Sequence, residues 1–201
     1  NFSNLNNIGF SLIKKDLDLN KDYLLLLNND CLISQDALKK LLSAINISNS
    51  IAAAGGKLFY PNGKIQHGGV GITRKKPDYA PHKLYHIDAH KDSQDSIASE
   101  FPFFADGCTA ACLLIRANDY KKINGFKSDI CPSAHSDSYL YNSIRKLGKY
   151  IIYEPKANAI HYESYSRNFY YPDDLESYIA FSLLKSEQNK GLLSKEIINF
   201  G

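Results

Sequence analysis

Tyr23-Leu24-Leu25-Leu26-Leu27-Asn28-Asn29-Asp30 decides the fold. An unbroken apolar run bounded by Asp22 and by the Asn-Asn-Asp cluster is too short for a helix, and reads as a strand covered on both faces, as in a parallel sheet between helices. Its polar residues then fall at the strand's C-terminal end. Downstream, Ser34 can cap a helix on which Leu38, Leu41, Leu42 and Ile45 share one face, and a second strand is expected over about Ile51 to Phe59. Strand, helix, strand predicts the α/β class. Upstream, Asn1 to Asn7 reads as turn-like, and Ile8 and Leu12 predict a helix over about Asn7 to Leu17, ahead of a polar turn at Asp18 to Asp22.

Beyond Phe59 the signals alternate between strand and turn. Pro61-Asn62-Gly63 marks a turn, after which Ile65 to Ile72 can return as a hairpin strand despite its three glycines. Thr73 to Glu100 is polar and aperiodic, and predicts a long functional loop with some local helix. Phe101 to Ala105 and Cys108 to Ile115 read as strands flanking Asp106-Gly107. Leu140, Ile144 and Leu147 follow helical spacing, with Ser136 or Asp137 as cap and Gly148 as terminator. A short strand at Tyr150 to Tyr153 should end at Glu154-Pro155, and Asp173 with Glu176 has capping-box spacing for a last helix.

The chain has 201 residues, 44% hydrophobic and 22% charged, a balance that suits one soluble globular domain. A net charge of +3 with scattered Lys and Arg speaks against nucleic acid as a partner. No run is long enough to span a bilayer, and the first residues lack the pattern of a signal peptide, so neither is expected. Cys31, Cys108, Cys112 and Cys131 form no CxxC pair, which predicts reduced, buried thiols and a cytoplasmic setting. There is no methionine. The chain is therefore read as a fragment.

Asp30 after a strand, Asp137 at a helix start and His161 after a strand are individually ordinary. Together with their surroundings they follow a known order. Phe2-Ser3-Asn4-Leu5-Asn6-Asn7-Ile8-Gly9, then Leu24 to Asp30, then Gly56-Lys57-Leu58 and Asn62-Gly63-Lys64-Ile65-Gln66-His67-Gly68-Gly69 form the first blocks. Ala111-Cys112-Leu113-Leu114-Ile115-Arg116, Asn124-Gly125-Phe126, Ser136-Asp137 ahead of Arg145-Lys146-Leu147-Gly148, Tyr153-Glu154-Pro155 and His161 to Ser166 complete them. In order and spacing this resembles the family 2 glycosyltransferases, inverting enzymes of the GT-A fold.

The resemblance implies a GT-A-like, mostly parallel sheet flanked by helices, incomplete because the first, nucleotide-binding βα units would precede Asn1. Residues 1–171 would form the catalytic part and residues 172–201 a C-terminal helical extension. In the family's sheet order Tyr23 to Leu27 would then be a bare edge strand, making the isolated fragment marginally stable. The implied reaction moves a sugar from a nucleotide-diphosphate donor to a glycan or lipid-linked acceptor hydroxyl, with peripheral association at the cytoplasmic face of a membrane. A departing diphosphate calls for a hard divalent cation, Mg²⁺ or Mn²⁺, and carboxylate oxygen suits such an ion. By resemblance Asp30 and His161 are its ligands, with Asn28 replacing the first Asp of the family's DxD motif. Asp137 is the implied base, since an attacking hydroxyl must lose its proton, and Asn28, Asn29, Asp106 and Ser136 are implied to contact substrate.

The chain departs from the family at Ser136, where Glu is usual, at Tyr139, where a second Asp is usual, and at Ala110, where Gly is usual. Ser136, Tyr139 and Asn28, with the expected absence of the first half, motivate a different class of function, a non-catalytic glycan-binding or scaffolding remnant; a purely structural α/β module is a third reading. His82, His86 and His90 would share one face of a helix and could bind zinc, but their Pro-containing loop argues against it. Tyr162, Tyr165, Tyr170 and Tyr171 could stack on sugars and are assigned to core or rim instead.

Overall fold

The computed structural model describes residues 1–72, 84–96, 98, 100–132 and 135–162. Helix α1 spans Phe2–Ile13 and is followed by β1 (Tyr23–Leu27), β2 (Cys31–Ile33), α2 (Ala37–Ile45), β3 (Ile51–Phe59), β4 (Ile65–His67) and β5 (Val70–Ile72). Then come β6 (Leu84–His86), a single 3₁₀ turn at Ser93–Asp95, β7 (Phe103–Ala105), β8 (Cys112–Arg116), α3 (Ala117–Lys122), α4 (Ser136–Lys146) and β9 (Tyr150–His161). The expected helix near Asp173 and the C-terminal extension lie outside the described residues.

The α/β class holds: a seven-stranded sheet runs β1-β8-β3-β9-β2, with β4 on β3 and β7 on β9. Helices cover both of its faces. On one side Leu24, Leu26, Ala53, Leu113 and Ile115 pack with Leu140 and Ile144 of α4, Tyr120 of α3 and Phe2 and Phe10 of α1. On the other, Leu41 and Ile45 of α2 pack against Ala54, Leu58, Leu114 and Ile152. Leu41, Ile45, Leu113, Ile115, Leu140 and Ile144 are almost wholly removed from water, each worth about 1.5–3 kcal/mol of burial.

The strand directions correct the expectation of a mostly parallel sheet. Among the described strands only β3 and β9 run parallel; β1 with β8, β8 with β3, β2 with β9, β4 with β3 and β7 with β9 are antiparallel. The unit β1-α2-β3 keeps β1 and β3 pointing the same way, as its helical crossover requires, but β8 is inserted between them in the opposite sense. A continuous apolar run reports burial on both faces, not direction.

Several boundaries also shift. Helix α1 begins five residues earlier than expected, because the Asn1 side chain accepts a hydrogen bond from Asn4 N–H (2.9 Å) and turns the Asn-rich stretch into a capped helix. Helix α2 is preceded by Asp36 rather than capped by Ser34, and α4 by His135 in a left-handed conformation, with no side-chain cap bond at either. Gly148, at φ +70°, ends α4 as expected. The hairpin strand is broken into β4 and β5 at Gly68-Gly69, where Gly69 has φ +93°. Part of the expected loop forms strand β6, paired with β5, and α3 was not anticipated.

Strand β9 runs on through Pro155 instead of stopping there. The register against β3 slips between Gly56 and Lys57, and such an irregularity accommodates a residue with no N–H to give the ladder. Its first half pairs with β7 and its second half with β2 on the same edge. That second half carries His161 to the site.

Candidate active site

Two hydrogen-bonded groups of polar side chains gather at the ends of these strands. The first is built by the β2–β9 ladder. Cys31 stands opposite His161, and Tyr162 N–H donates to Asp30 C=O at 3.0 Å, so the residues flanking the β1–β2 turn meet the last residue of β9. Asp30 Oδ1 lies 3.2 Å from His161 Nε2, and Asn28 Nδ2 lies 3.2 Å from the same nitrogen. The side chains of His161 and Asp30 are only 12% and 14% exposed. Asn28 and Asp30 each bury an Oδ1 that has no hydrogen-bond partner.

Buried oxygens without a donor are costly, and native proteins seldom keep them. Two beside an imidazole nitrogen are donors of the kind a divalent cation takes. On that observation the residues fit a cation, which Asp30 Oδ1 and His161 Nε2 would hold with Asn28 Oδ1 as a second oxygen. Among the described residues no group of three or more His, Cys, Asp and Glu side chains is placed to hold a metal ion. A cation here would therefore complete its shell from Asn28 and from a bound substrate.

The second group surrounds Asp137, in the first turn of α4. Its Oδ2 accepts from Thr109 Oγ1–H (3.0 Å) and from Ala110 N–H (3.1 Å), and its Oδ1 faces the Ser136 hydroxyl at 3.5 Å. Burial pushes the Asp137 carboxyl above the ordinary 3.8, against the pull of those donors and of nearby His86. Thr109 is itself held, since its N–H donates to His67 Nε2 at 3.3 Å. His67 is fully buried, with its ring edge-on to His86 at 4.8 Å between centroids. Loss of hydration, and secondarily the proximity of His86, hold it well below the usual histidine value.

The two groups are joined through residues 109–111. Ala110 N–H reaches Asp137, while Ala111 C=O accepts from Asn28 N–H at 3.0 Å. Strand β4 touches both from the other side, for Gln66 meets His161 and His67 meets Thr109. Adjacent strand residues point to opposite faces, which lets two consecutive side chains serve separate groups.

Of the residues singled out in the sequence, Asn28, Asp30 and His161 come together, and Asp137 and Ser136 stand on the neighbouring helix end. Asn29 is exposed in the turn between β1 and β2. Asp106 forms an ion pair with Arg145 of α4 at 3.0 Å, about one third exposed on each side. The histidine trio does not form a helical face: His86 ends β6, His90 lies in a turn with φ +68°, and His82 is outside the described residues. The four cysteines are buried free thiols. Of the four tyrosines only Tyr162 is among the described residues. Sequence reading missed Gln66, His67 and Thr109, although Gln66 and His67 stand in a recognised block whose short strand should direct them to opposite faces.

No family model matches the chain. It is 29% identical over 168 residues to the uncharacterised protein y4gI of Sinorhizobium fredii (strain NBRC 101917 / NGR234), covering 83% of this chain and 17% of that protein. It is 28% identical over 151 residues to the O-antigen biosynthesis protein RfbC of Myxococcus xanthus, covering 73% of this chain and 11% of that one. The chain thus spans under a fifth of either relative. Among solved structures it is similar to GalNAc-T7 crystallised with UDP, GalNAc and Mn²⁺, at a TM-score of 0.49 and 12% identity over 75% of this chain and 30% of that one. Among the described residues no helix is long and apolar enough to cross a membrane.

Proposed function

We propose that this chain is the catalytic part of an inverting, metal-dependent glycosyltransferase of the family 2, GT-A type, acting on a nucleoside-diphosphate sugar and a hydroxyl of a glycan or lipid-linked acceptor. The single observation that carries the reading is the pairing of the Asp30, Asn28 and His161 cluster and its two unpartnered oxygens with a separate, partly buried carboxylate at Asp137. Transfer with inversion needs one group for the leaving diphosphate and another for the incoming hydroxyl, on opposite sides of the anomeric carbon. The similarity to an O-antigen biosynthesis protein supports a polysaccharide product.

Asp30 and His161, with Asn28, would hold Mg²⁺ or Mn²⁺, which when bound stabilises charge on the departing phosphate. Asp137 receives the acceptor's proton as the acceptor oxygen bonds to the anomeric carbon, and the carbon–phosphate-oxygen bond breaks with its electron pair leaving on the nucleoside diphosphate. Thr109 O–H and Ala110 N–H both donate to Asp137 Oδ2, which fixes the carboxylate plane and directs Oδ1 as the proton acceptor. Asp106, braced by Arg145, and Ser136 and Asn29 contact substrate.

The test is transfer of isotope-labelled sugar by the intact protein. Asp137→Asn should lower the rate by about 10²–10⁴-fold, as expected for loss of a positioned base, while circular dichroism stays unchanged. Transfer that survives this substitution at the wild-type rate would remove Asp137 from the mechanism. The amide at Asn28 and the Ser136 and Tyr139 departures favour one other reading, a glycan-binding module without turnover. Saccharide binding by wild type with no transfer of any donor sugar would decide for it.

A further inference from the structure

Gln66 lies in β4, 5% exposed, where the pairing of β4 with β3 and of β3 with β9 brings it to the end of β9. Its two amide atoms grip one residue. Oε1 is 2.7 Å from His161 Nδ1, and Nε2 donates to His161 C=O at 3.4 Å. The carbonyl contact accepts only a donor, which sets the amide orientation and leaves Oε1 facing the ring. An amide oxygen can only accept, so His161 must carry its proton on Nδ1. With Nε2 unprotonated, its lone pair accepts from Asn28 Nδ2–H and faces Asp30 Oδ1, each 3.2 Å away.

We infer that Gln66 is the positioning residue of the cation site, fixing both the tautomer and the orientation of His161 so that Nε2 is presented as a ligand. This rests on the reading of Asp30 and His161 as cation ligands. The chemical ground is general: a ligating imidazole that donates its other N–H to a fixed acceptor is locked in tautomer, and loss of that acceptor lowers metal affinity by roughly 10–100-fold. Gln66 also ties His161 backbone to its own ring partner, so ring and strand end move together.

The experiment measures Mn²⁺ affinity by electron paramagnetic resonance, and the His161 ring by long-range ¹H–¹⁵N correlation without metal, on the intact chain. Wild type should show the Nδ1–H form and bind Mn²⁺. Gln66→Met, close in shape but without an acceptor, should bind roughly 10–100-fold more weakly and lose the single tautomer. Gln66→Glu should keep Nδ1–H and bind at least as tightly as wild type, because a carboxylate acceptor raises ring basicity; this variant carries the test if Gln66→Met does not fold. Equal Mn²⁺ affinity in wild type and Gln66→Met, or weakened binding by Gln66→Glu, overturns the inference and leaves the cation reading standing. A wild type that binds no Mn²⁺ overturns both.

Discussion

Asp137 and His67 illustrate how burial sets the chemistry of single residues here. Folding favours the neutral carboxyl of Asp137, a contribution complete below the ordinary 3.8 and lost as pH rises through the raised folded value. Above that folded value the ionised carboxylate costs the folded chain stability. Asp137→Asn should accordingly melt at a higher temperature than wild type at pH 7, by about 2–4 °C for each kcal/mol relieved. The gain should vanish in scans run below pH 3.8. His67 works in the other direction. Its folded value is depressed below 6.5, so the stability present above pH 6.5 is lost as pH falls through the window beneath it. The loss should approach about 1.4 kcal/mol per pH unit. His67→Gln, which keeps an acceptor for Thr109 N–H, should flatten the denaturant-midpoint profile below pH 6.5, and an unchanged acid limb would assign that sensitivity elsewhere.

Short ladders between elements place these residues. Asp30 and His161 are far apart in sequence, and a three-residue strand, β2, registers Cys31 against His161. A slip of one residue in that ladder would turn His161 to the opposite face. Helix α1 is likewise tied down by side-chain bonds, among them those of Asn7. Asn7 Oδ1 accepts from Phe126 N–H (2.9 Å) and Tyr120 O–H (3.1 Å), and its Nδ2 donates to Phe126 C=O (2.7 Å). Gly125, at φ +64°, is needed beneath it, since a Cβ there would stand 2.3 Å from Asn7 Oδ1. Asn7→Leu should cost about 2–3 kcal/mol in chemical denaturation, the penalty for leaving buried backbone and hydroxyl groups unpaired. A loss under 0.5 kcal/mol, within the range of ordinary surface substitutions, would mean that apolar packing by Phe2 and Phe10 holds α1 by itself. The blocks holding Asn7 and Asn124-Gly125-Phe126 were both legible in the sequence. That they are the two halves of one contact was not.

Across the whole molecule, β1 ends the sheet, with β8 on one side and no described strand on the other, as the sequence reading anticipated. Leu27 is 40% exposed at that edge, and α1 also leaves Leu5, Ile8 and Leu12 open to water. An unpaired, largely aliphatic edge templates association. The chain on its own should self-associate with rising concentration in sedimentation velocity, and Leu27→Lys should suppress this with little change in melting temperature. Association that persists unchanged in Leu27→Lys would move the contact away from the β1 edge. The sequence by itself determined the α/β class, the strands at Tyr23 to Leu27 and Ile51 to Phe59, and the placing of Asp30 at a strand end and Asp137 at a helix start, because apolar runs, turn residues and helix ends are local properties of the chain. Only the tertiary structure decided that β8 inserts antiparallel between β1 and β3, that β9 continues through Pro155, and that Gln66 and His67 stand behind the two halves of the site. Those outcomes depend on which strands pair and in what register, which is set by the packing of segments far apart in the chain.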